Sequence, residues 1–267
     1  MAQYGKENWE RFQRSGVEQE DIKIMKKETV EDAFEDTRED FGHLVEKLAD
    51  GIKEKRWTAI LGDDVSGRLP ALIIGKLTAR YAQEHQMQAP KCLFFAGGGV
   101  PFEDILQSKE GRDIFKEKQQ KLEEYIHEQS KNLGARVLIV TEHIVGGRTL
   151  RSISKALHAE GISFDVGSLW STKQASVYRS MLEDEEDDFE TRFYIGQENA
   201  GASSPFGSEV SGLLYSLGVP LNEATGIKKA GTEPVGKLYK EADRDLIKLA
   251  RRIVDEFVAD LYLKHLK

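Results

Sequence analysis

A glycine turn between an apolar run and an amphipathic stretch carries the most reactive combination of residue types in this 267-residue chain. The apolar run, residues 137–140, leads into residues 141–149, which are polar and glycine-rich. Glycine lets the backbone approach a ligand closely, and the N–H groups in the first turn of a helix attract phosphate. Thr149 adds a hydroxyl, Arg148 a positive charge, and Glu142 an acceptor for sugar hydroxyls or a metal-bound water. The pattern predicts a site for a phosphorylated sugar.

A second turn of the same kind follows the apolar run 57–61, and a helix is predicted to begin after it at Leu69, with Pro70 in its first turn. If both apolar runs are parallel strands, the two turns lie at the carboxyl edge of one sheet, where open α/β sheets bind ligands. The alternative is that the acidic and hydroxyl residues of this turn only cap the helix. The ligand-binding and the capping interpretations involve the same residues, which are Asp63, Asp64, Ser66, Gly67 and Arg68.

Residues 136–150 resemble the phosphoribosyl pyrophosphate (PRPP) loop of the type I phosphoribosyltransferases. In that family a hydrophobic strand runs into two acidic residues, a short spacer and a Gly/Thr-rich turn that opens a helix. Here Thr141 stands in place of the first acid, and Arg148 stands where the family usually has a small residue. The resemblance implies that the residues binding the phosphate or PRPP are Thr141, Val145, Gly146, Gly147, Arg148 and Thr149.

The same resemblance implies roles for the earlier turn. Ser66, Gly67 and Arg68 would hold the pyrophosphate end of PRPP, with Asp63 or Asp64 near a Mg2+ cofactor. Glu142 and Arg68 would be the catalytic residues, Glu142 by steadying the ribose as it becomes positively charged. The implied activity is transfer of a phosphoribosyl group to an acceptor with release of pyrophosphate. Family members are commonly dimers, so a homodimer is also implied.

Other interpretations of these residues stay open. The strand and turn at 137–149 also suit an ordinary strand-to-helix connection in some other doubly wound protein. A further alternative is an unrelated α/β sugar-phosphate enzyme such as an isomerase. Residues 97–102 lack the basic side chains that many family members carry there, which favours a sensor that binds the nucleotide without catalysis. The six histidines are dispersed without metal-ligand spacing. His143, beside Glu142, could act on a leaving group, but a structural role is the favoured interpretation.

The composition narrows the class of protein. A formal net charge of -8 argues against a general nucleic-acid-binding surface, which needs clustered positive charge. The single cysteine, Cys92, excludes a disulfide framework within one chain and is expected to be buried. No stretch is long and apolar enough to span a membrane, and residues 1–14 lack the apolar core of a signal peptide, so a cytoplasmic location is expected.

The periodicity predicts an α/β protein with a mainly parallel, five-stranded, doubly wound sheet. Helical spacing is predicted before the first strand, between the second and central strands, after the central strand and at the carboxyl terminus. The expected partition is an N-terminal helical extension (1–37), a phosphoribosyltransferase-like core (38–204) and a C-terminal segment ending in a long amphipathic helix (205–267). The predicted strands, in chain order, are residues 57–61, 91–96, 137–140, 164–170 and 192–196.

Overall fold

The computed structural model describes residues 34–95, 108–144, 147–172, 191–198 and 244–267. Within these ranges the chain alternates between β-strands and α-helices. The strands are β1 (Ala59–Asp63), β2 (Lys91–Phe95), β3 (Arg136–Ile144), β4 (Ser163–Ser171) and β5 (Phe193–Glu198). The helices are α1 (Arg38–Lys53), α2 (Asp64–Glu84), α3 (Lys109–Leu133), α4 (Arg148–Ala159) and α5 (Arg244–His265).

Parallel pairing joins the five strands into one sheet, in the order β2-β1-β3-β4-β5. The central strand is β3, and its residues from Val137 to Val140 have no exposed surface. A strand covered on both faces needs apolar side chains at successive positions, which explains its uninterrupted aliphatic run. The prediction of an α/β protein with a five-stranded sheet is confirmed, and the described strand pairings are all parallel.

Helices cover both faces of this sheet. On one face α1, α2 and α5 pack over Ile60 and Leu138. On the other face α3 and α4 pack over Leu61 and Ile139. Successive strand residues point to opposite faces, so each apolar run supplies both cores. Crossover helices of this kind are what parallel neighbours require, since a short hairpin cannot join them.

The C-terminal helix α5 belongs to the first of these layers. The ring of Phe257 meets that of Phe41 in α1 edge to face, with centroids 5.3 Å apart. The hydroxyl of Tyr262 donates a hydrogen bond of 2.7 Å to Glu84 of α2. Of the apolar stripe predicted for this helix, Phe257 and Leu261 lie in the core, whereas Leu263 is 55% exposed. None of the helices in the described ranges combines the length and apolar composition needed to cross a membrane.

A buried carboxylate ties the amino ends of the strands together. Asp165 of β4 has no exposed surface and accepts hydrogen bonds from the indole of Trp57 at 2.7 Å and the guanidinium of Arg136 at 2.9 Å. The backbone N–H of Arg192, just before β5, donates a further bond of 3.0 Å. A buried charge is tolerated when it is paired and hydrogen-bonded in this way. This amino-edge clamp links residues next to β1, β3, β4 and β5.

The predicted start of α2 was wrong. The helix begins at Asp64 rather than Leu69, directly after β1, and Pro70 lies inside it. The reason is close packing of the helix on its own strand, since a Cβ atom at Gly62 would lie only 3.1 Å from the carbonyl oxygen of Gly67. A helix that folds back so closely leaves no room for a separate loop. The predicted polar turn is therefore the end of β1 and the first turns of α2.

Candidate functional site

The sheet has a topological switch point between β1 and β3. From β1 the chain passes through α2 on one face to β2 at the edge, then returns to β3 and passes through α4 on the other face. The connections that leave these two neighbouring strands therefore diverge to opposite faces. Such divergence opens a crevice at the carboxyl ends of the strands, and open α/β sheets bind ligands there.

The two polar stretches singled out from the sequence meet at this edge. Because β1 and β3 are parallel neighbours, with Gly62 opposite Val140, their carboxyl ends lie side by side. Beyond that pair β1 continues only to Asp63, and α2 begins at the next residue. The central strand continues to Ile144, and α4 begins at Arg148. The structure thus places two helix starts at one edge of the sheet.

Thr141 and Glu142 lie within β3 instead of following it, because the strand runs four residues beyond the predicted end at Val140. Both are buried, with 1% and 5% of their surfaces exposed. Thr141 pairs with Ser168 of β4, whose hydroxyl lies 3.3 Å from the Glu142 carbonyl oxygen. Continued pairing with β4 is what extends the strand. The carboxylate predicted to steady a ribose is therefore fixed to a rigid element.

The start of α4 is set by a glycine. Gly147 has φ of 66°, in the left-handed region where a side chain is strained, and it occupies the N-cap position without a side-chain cap. Its carbonyl oxygen accepts the N–H of Arg151 at 2.8 Å, which starts the helical bonding. The earlier N–H groups have no intrahelical acceptor, and together with the helix dipole they suit an anion. Thr149 is half-buried in this turn.

Part of the predicted site lies outside the described residues. Val145 and Gly146 are not described. For five more predicted residues the structure describes the backbone, which belongs to β1, α2 or α4, but not the side chain. These residues are Asp63, Asp64, Ser66, Arg68 and Arg148. Gly67 is described and is buried in the first turns of α2.

The predicted Mg2+ ion would need oxygen ligands at this edge of the sheet. In the described part of the chain no three His, Cys, Asp or Glu side chains converge as a metal site. Magnesium, however, usually keeps several waters and binds through one or two carboxylates and substrate phosphates. Glu142 lies near the end of β3, and the backbone places Asp63 at the end of the neighbouring strand β1, with Asp64 at the start of α2. The residue types present therefore suit Mg2+ that is shared with a phosphorylated ligand.

Sequence reasoning missed a pair of side chains at the same edge. Asp40, in the first turn of α1, accepts a hydrogen bond of 2.8 Å from the indole of Trp170 near the end of β4. Desolvation raises the pKa of the Asp40 carboxyl, while the bond from Trp170 acts in the opposite direction. The ring of Trp170 in turn meets the imidazole of His143 edge on, with centroids 6.4 Å apart. Asp40 and Trp170 lie far apart in the sequence, so no local pattern predicted their contact. A tryptophan that ends an apolar run does, however, suggest a buried side chain.

The chain was compared with models of protein families, with curated proteins and with solved structures, and none of them matched.

Proposed function

We propose that the chain is a phosphoribosyltransferase-like protein that binds PRPP or a nucleotide containing ribose 5-phosphate. In this proposal it transfers the phosphoribosyl group to an acceptor and releases pyrophosphate. The observation that carries the proposal is the parallel pairing of β1 with β3, Gly62 opposite Val140, which sets two helix starts side by side at a switch point. PRPP carries phosphate at both ends of a ribose, and two neighbouring anion-binding turns match that charge distribution.

Each part of the ligand has a place in this arrangement. The 5′-phosphate would lie at the first turn of α4, against the backbone of Gly147 and the hydroxyl of Thr149. The ribose would lie over the end of β3, beside Glu142. The pyrophosphate would lie at the first turns of α2, near Gly67, with Arg68 as its cationic partner. The sequence resemblance implies this order, and the parallel strand ends support it because they bring the two helix starts side by side.

The proposed reaction depends on placement and charge more than on a strong nucleophile. The bond from the anomeric carbon to pyrophosphate breaks while the bond to the acceptor forms, and the ribose carries positive charge in the transition state. A buried carboxylate at Glu142 would stabilise that charge, and amide groups of α2 would stabilise the leaving pyrophosphate. Mg2+, when bound, would supply further neutralisation of the charge on the leaving pyrophosphate.

A second candidate function is a sensor that binds the same ligand without catalysis. Three features of the sequence favour it over an active transferase. Thr141 replaces the first acid of the family pattern, Arg148 replaces a small residue, and residues 97–102 contain no lysine or arginine. Each change lies at a position where the family pattern would contact the ligand, while Gly147 and Thr149 of the phosphate-binding turn are kept.

Calorimetric titration with PRPP and Mg2+, followed by an assay of pyrophosphate release with a panel of nucleobases, separates these functions. Binding followed by release is the result expected of the transferase. Binding without release by any acceptor supports the sensor. Absence of binding contradicts both and leaves an unrelated α/β sugar-phosphate enzyme, for which ribose 5-phosphate is the first ligand to test.

A further inference from the structure

One buried polar atom at the carboxyl edge has no bonding partner in the described part of the chain. This atom is Nε2 of His143, which follows Glu142 in β3. A buried donor or acceptor left unpaired costs about 1–3 kcal/mol, so native proteins retain few of them. An orphaned ring nitrogen next to a proposed ligand therefore needs an explanation.

The imidazole is held in place by its neighbours. His143 pairs across the strands with Trp170 of β4, and the two rings meet at an angle of 82°. The indole of Trp170 is itself fixed by its 2.8 Å bond to Asp40, and 1% of its surface is exposed. The ring of His143 therefore packs against a side chain that is itself held in place, so its unpaired nitrogen has a defined position. A functional group that is held in place by packing is what a binding site requires.

The hydrogen-bonding capacity of the imidazole also bears on which part of a ligand it can contact. A neutral imidazole has one N–H donor and one acceptor nitrogen, depending on the tautomer. A sugar hydroxyl can pair with either, because it both donates and accepts, whereas a phosphate dianion only accepts. The chemistry of Nε2 thus suits a hydroxyl better than a phosphate.

We propose that His143 is a ligand-contacting residue whose Nε2 forms a hydrogen bond with a ribose hydroxyl. The inference rests on the proposed function, because it assigns a second polar contact to the ribose beside Glu142. The phosphate contacts of α4 begin four residues further along the chain, at Gly147, and are independent of it. His143 thereby acts on the sugar part of the ligand alone.

The test is a comparison of two ligands and three forms of the chain by calorimetry. His143→Phe keeps the edge contact with Trp170 but removes both ring nitrogens, and His143→Gln restores a donor and an acceptor. We expect His143→Phe to weaken ribose 5-phosphate binding about tenfold and to leave inorganic phosphate binding unchanged within about twofold. His143→Gln should recover part of the loss. Equal weakening of both ligands, or of neither, would overturn the assignment.

A matched control is available in α5. Nε2 of His265 is also buried without a partner in the described ranges, but this residue lies against Gly42 of α1, in the last turn of α5. His265→Phe should therefore change stability without changing the affinity for either ligand. If it weakens ribose 5-phosphate as strongly as His143→Phe does, the effect is a general loss of packing and the inference fails.

A measurement on the unmodified chain avoids any folding defect of the variants. With 15N-labelled histidine, the Nε2 resonance of His143, assigned from its absence in His143→Gln, should shift when ribose 5-phosphate binds. Binding without a shift of this resonance would overturn the inference and leave the proposed function intact. Failure of the unmodified chain to bind ribose 5-phosphate or PRPP would overturn both, so the two failures are distinguishable.

Discussion

The two edges of the sheet differ in how their polar groups are paired. At the amino edge the carboxylate of Asp165 is bonded to Trp57, Arg136 and the backbone N–H of Arg192. At the carboxyl edge Gly147 leaves α4 without a side-chain cap, and Nε2 of His143 has no partner in the described ranges. Satisfied buried networks make a structure rigid, whereas unpaired groups mark places where a ligand can bond. Under the proposed function, the amino edge stabilises the fold and the carboxyl edge binds the ligand.

The largest effect is expected from removing the amino-edge clamp. Asp165→Ala would leave the indole of Trp57, the guanidinium of Arg136 and one backbone N–H without their common acceptor. Breaking a buried charged pair costs about 3–5 kcal/mol, and since Arg136 is partly exposed we expect a loss of about 3 kcal/mol in the free energy of unfolding. Urea unfolding followed by circular dichroism measures it.

The comparison also predicts what this variant leaves intact. The folded fraction of Asp165→Ala should bind PRPP with unchanged affinity, since the clamp lies at the opposite end of the strands. Asp113→Ala, an exposed position in α3, serves as a control and should alter stability by less than about 0.5 kcal/mol. A strong loss of affinity in Asp165→Ala would show that the edges are not independent.

Two glycines with the same backbone conformation, one at each edge, allow the two edges to be compared directly. Gly147 starts α4 at the carboxyl edge with φ of 66°, and Gly161 follows the same helix at the amino edge with φ of 67°. A Cβ atom at Gly161 would meet nothing within 4 Å, so Gly161→Ala reports the cost of the backbone conformation alone. We expect each alanine variant to lose about 1–2 kcal/mol of stability, because the left-handed conformation is strained for alanine.

Only one of the two variants should affect binding. Gly147→Ala is expected to weaken PRPP at least tenfold, because a methyl group enters the turn that the phosphate approaches, while Gly161→Ala should leave the affinity unchanged. Isothermal calorimetry on both variants at one temperature measures the difference. Similar affinities for the two variants would remove Gly147 from the ligand site.

The smallest expected effect comes from Asp40, at the carboxyl edge. Because desolvation raises the folded-state pKa of this carboxyl, protonation favours the fold, and this contribution is lost as pH rises through that pKa. Asp40→Asn keeps an acceptor for Trp170 and removes the charge. It should therefore stabilise the fold at pH 7 by less than about 1 kcal/mol, given partial exposure.

The pH dependence tests the sign of that effect. The advantage of Asp40→Asn should disappear as pH falls below about 3.9, the ordinary pKa of aspartate, because the wild-type carboxyl is then protonated in both states. Thermal unfolding of both chains from pH 3 to pH 8 provides the comparison. An advantage that grows at low pH would contradict the assigned direction.

Local sequence patterns predicted the elements better than their junctions. The aliphatic run of β3 and the helical spacing of α1 and α4 are local features, so their positions followed from periodicity. The early start of α2 did not, because it depends on contact between Gly62 and the first turns of the helix. The extension of β3 through Glu142 depends on pairing with β4, which the residues of β3 alone do not encode.

The residue types of the candidate site could be predicted from the sequence, but the residues that hold the site in place could not. Glycine and hydroxyl residues after two apolar runs gave the two turns, and the assumption of parallel strands gave their common edge. The strand order that makes β1 and β3 neighbours is a tertiary property. Asp40, Trp170 and His143 come from three distant parts of the chain, so only the folded structure brings them together. The buried Asp165 likewise acquires its partners only across four neighbouring strand ends.

Amide resonances of the 15N-labelled chain, followed during titration with PRPP and Mg2+, test the central claim most directly. The account predicts that Gly67 in α2 and Gly147 at the start of α4 shift together and give one dissociation constant, while Gly134 and Gly161 at the amino edge stay unchanged. Shifts confined to one of the two turns, or centred on the amino edge, would contradict a shared ligand site at the ends of β1 and β3.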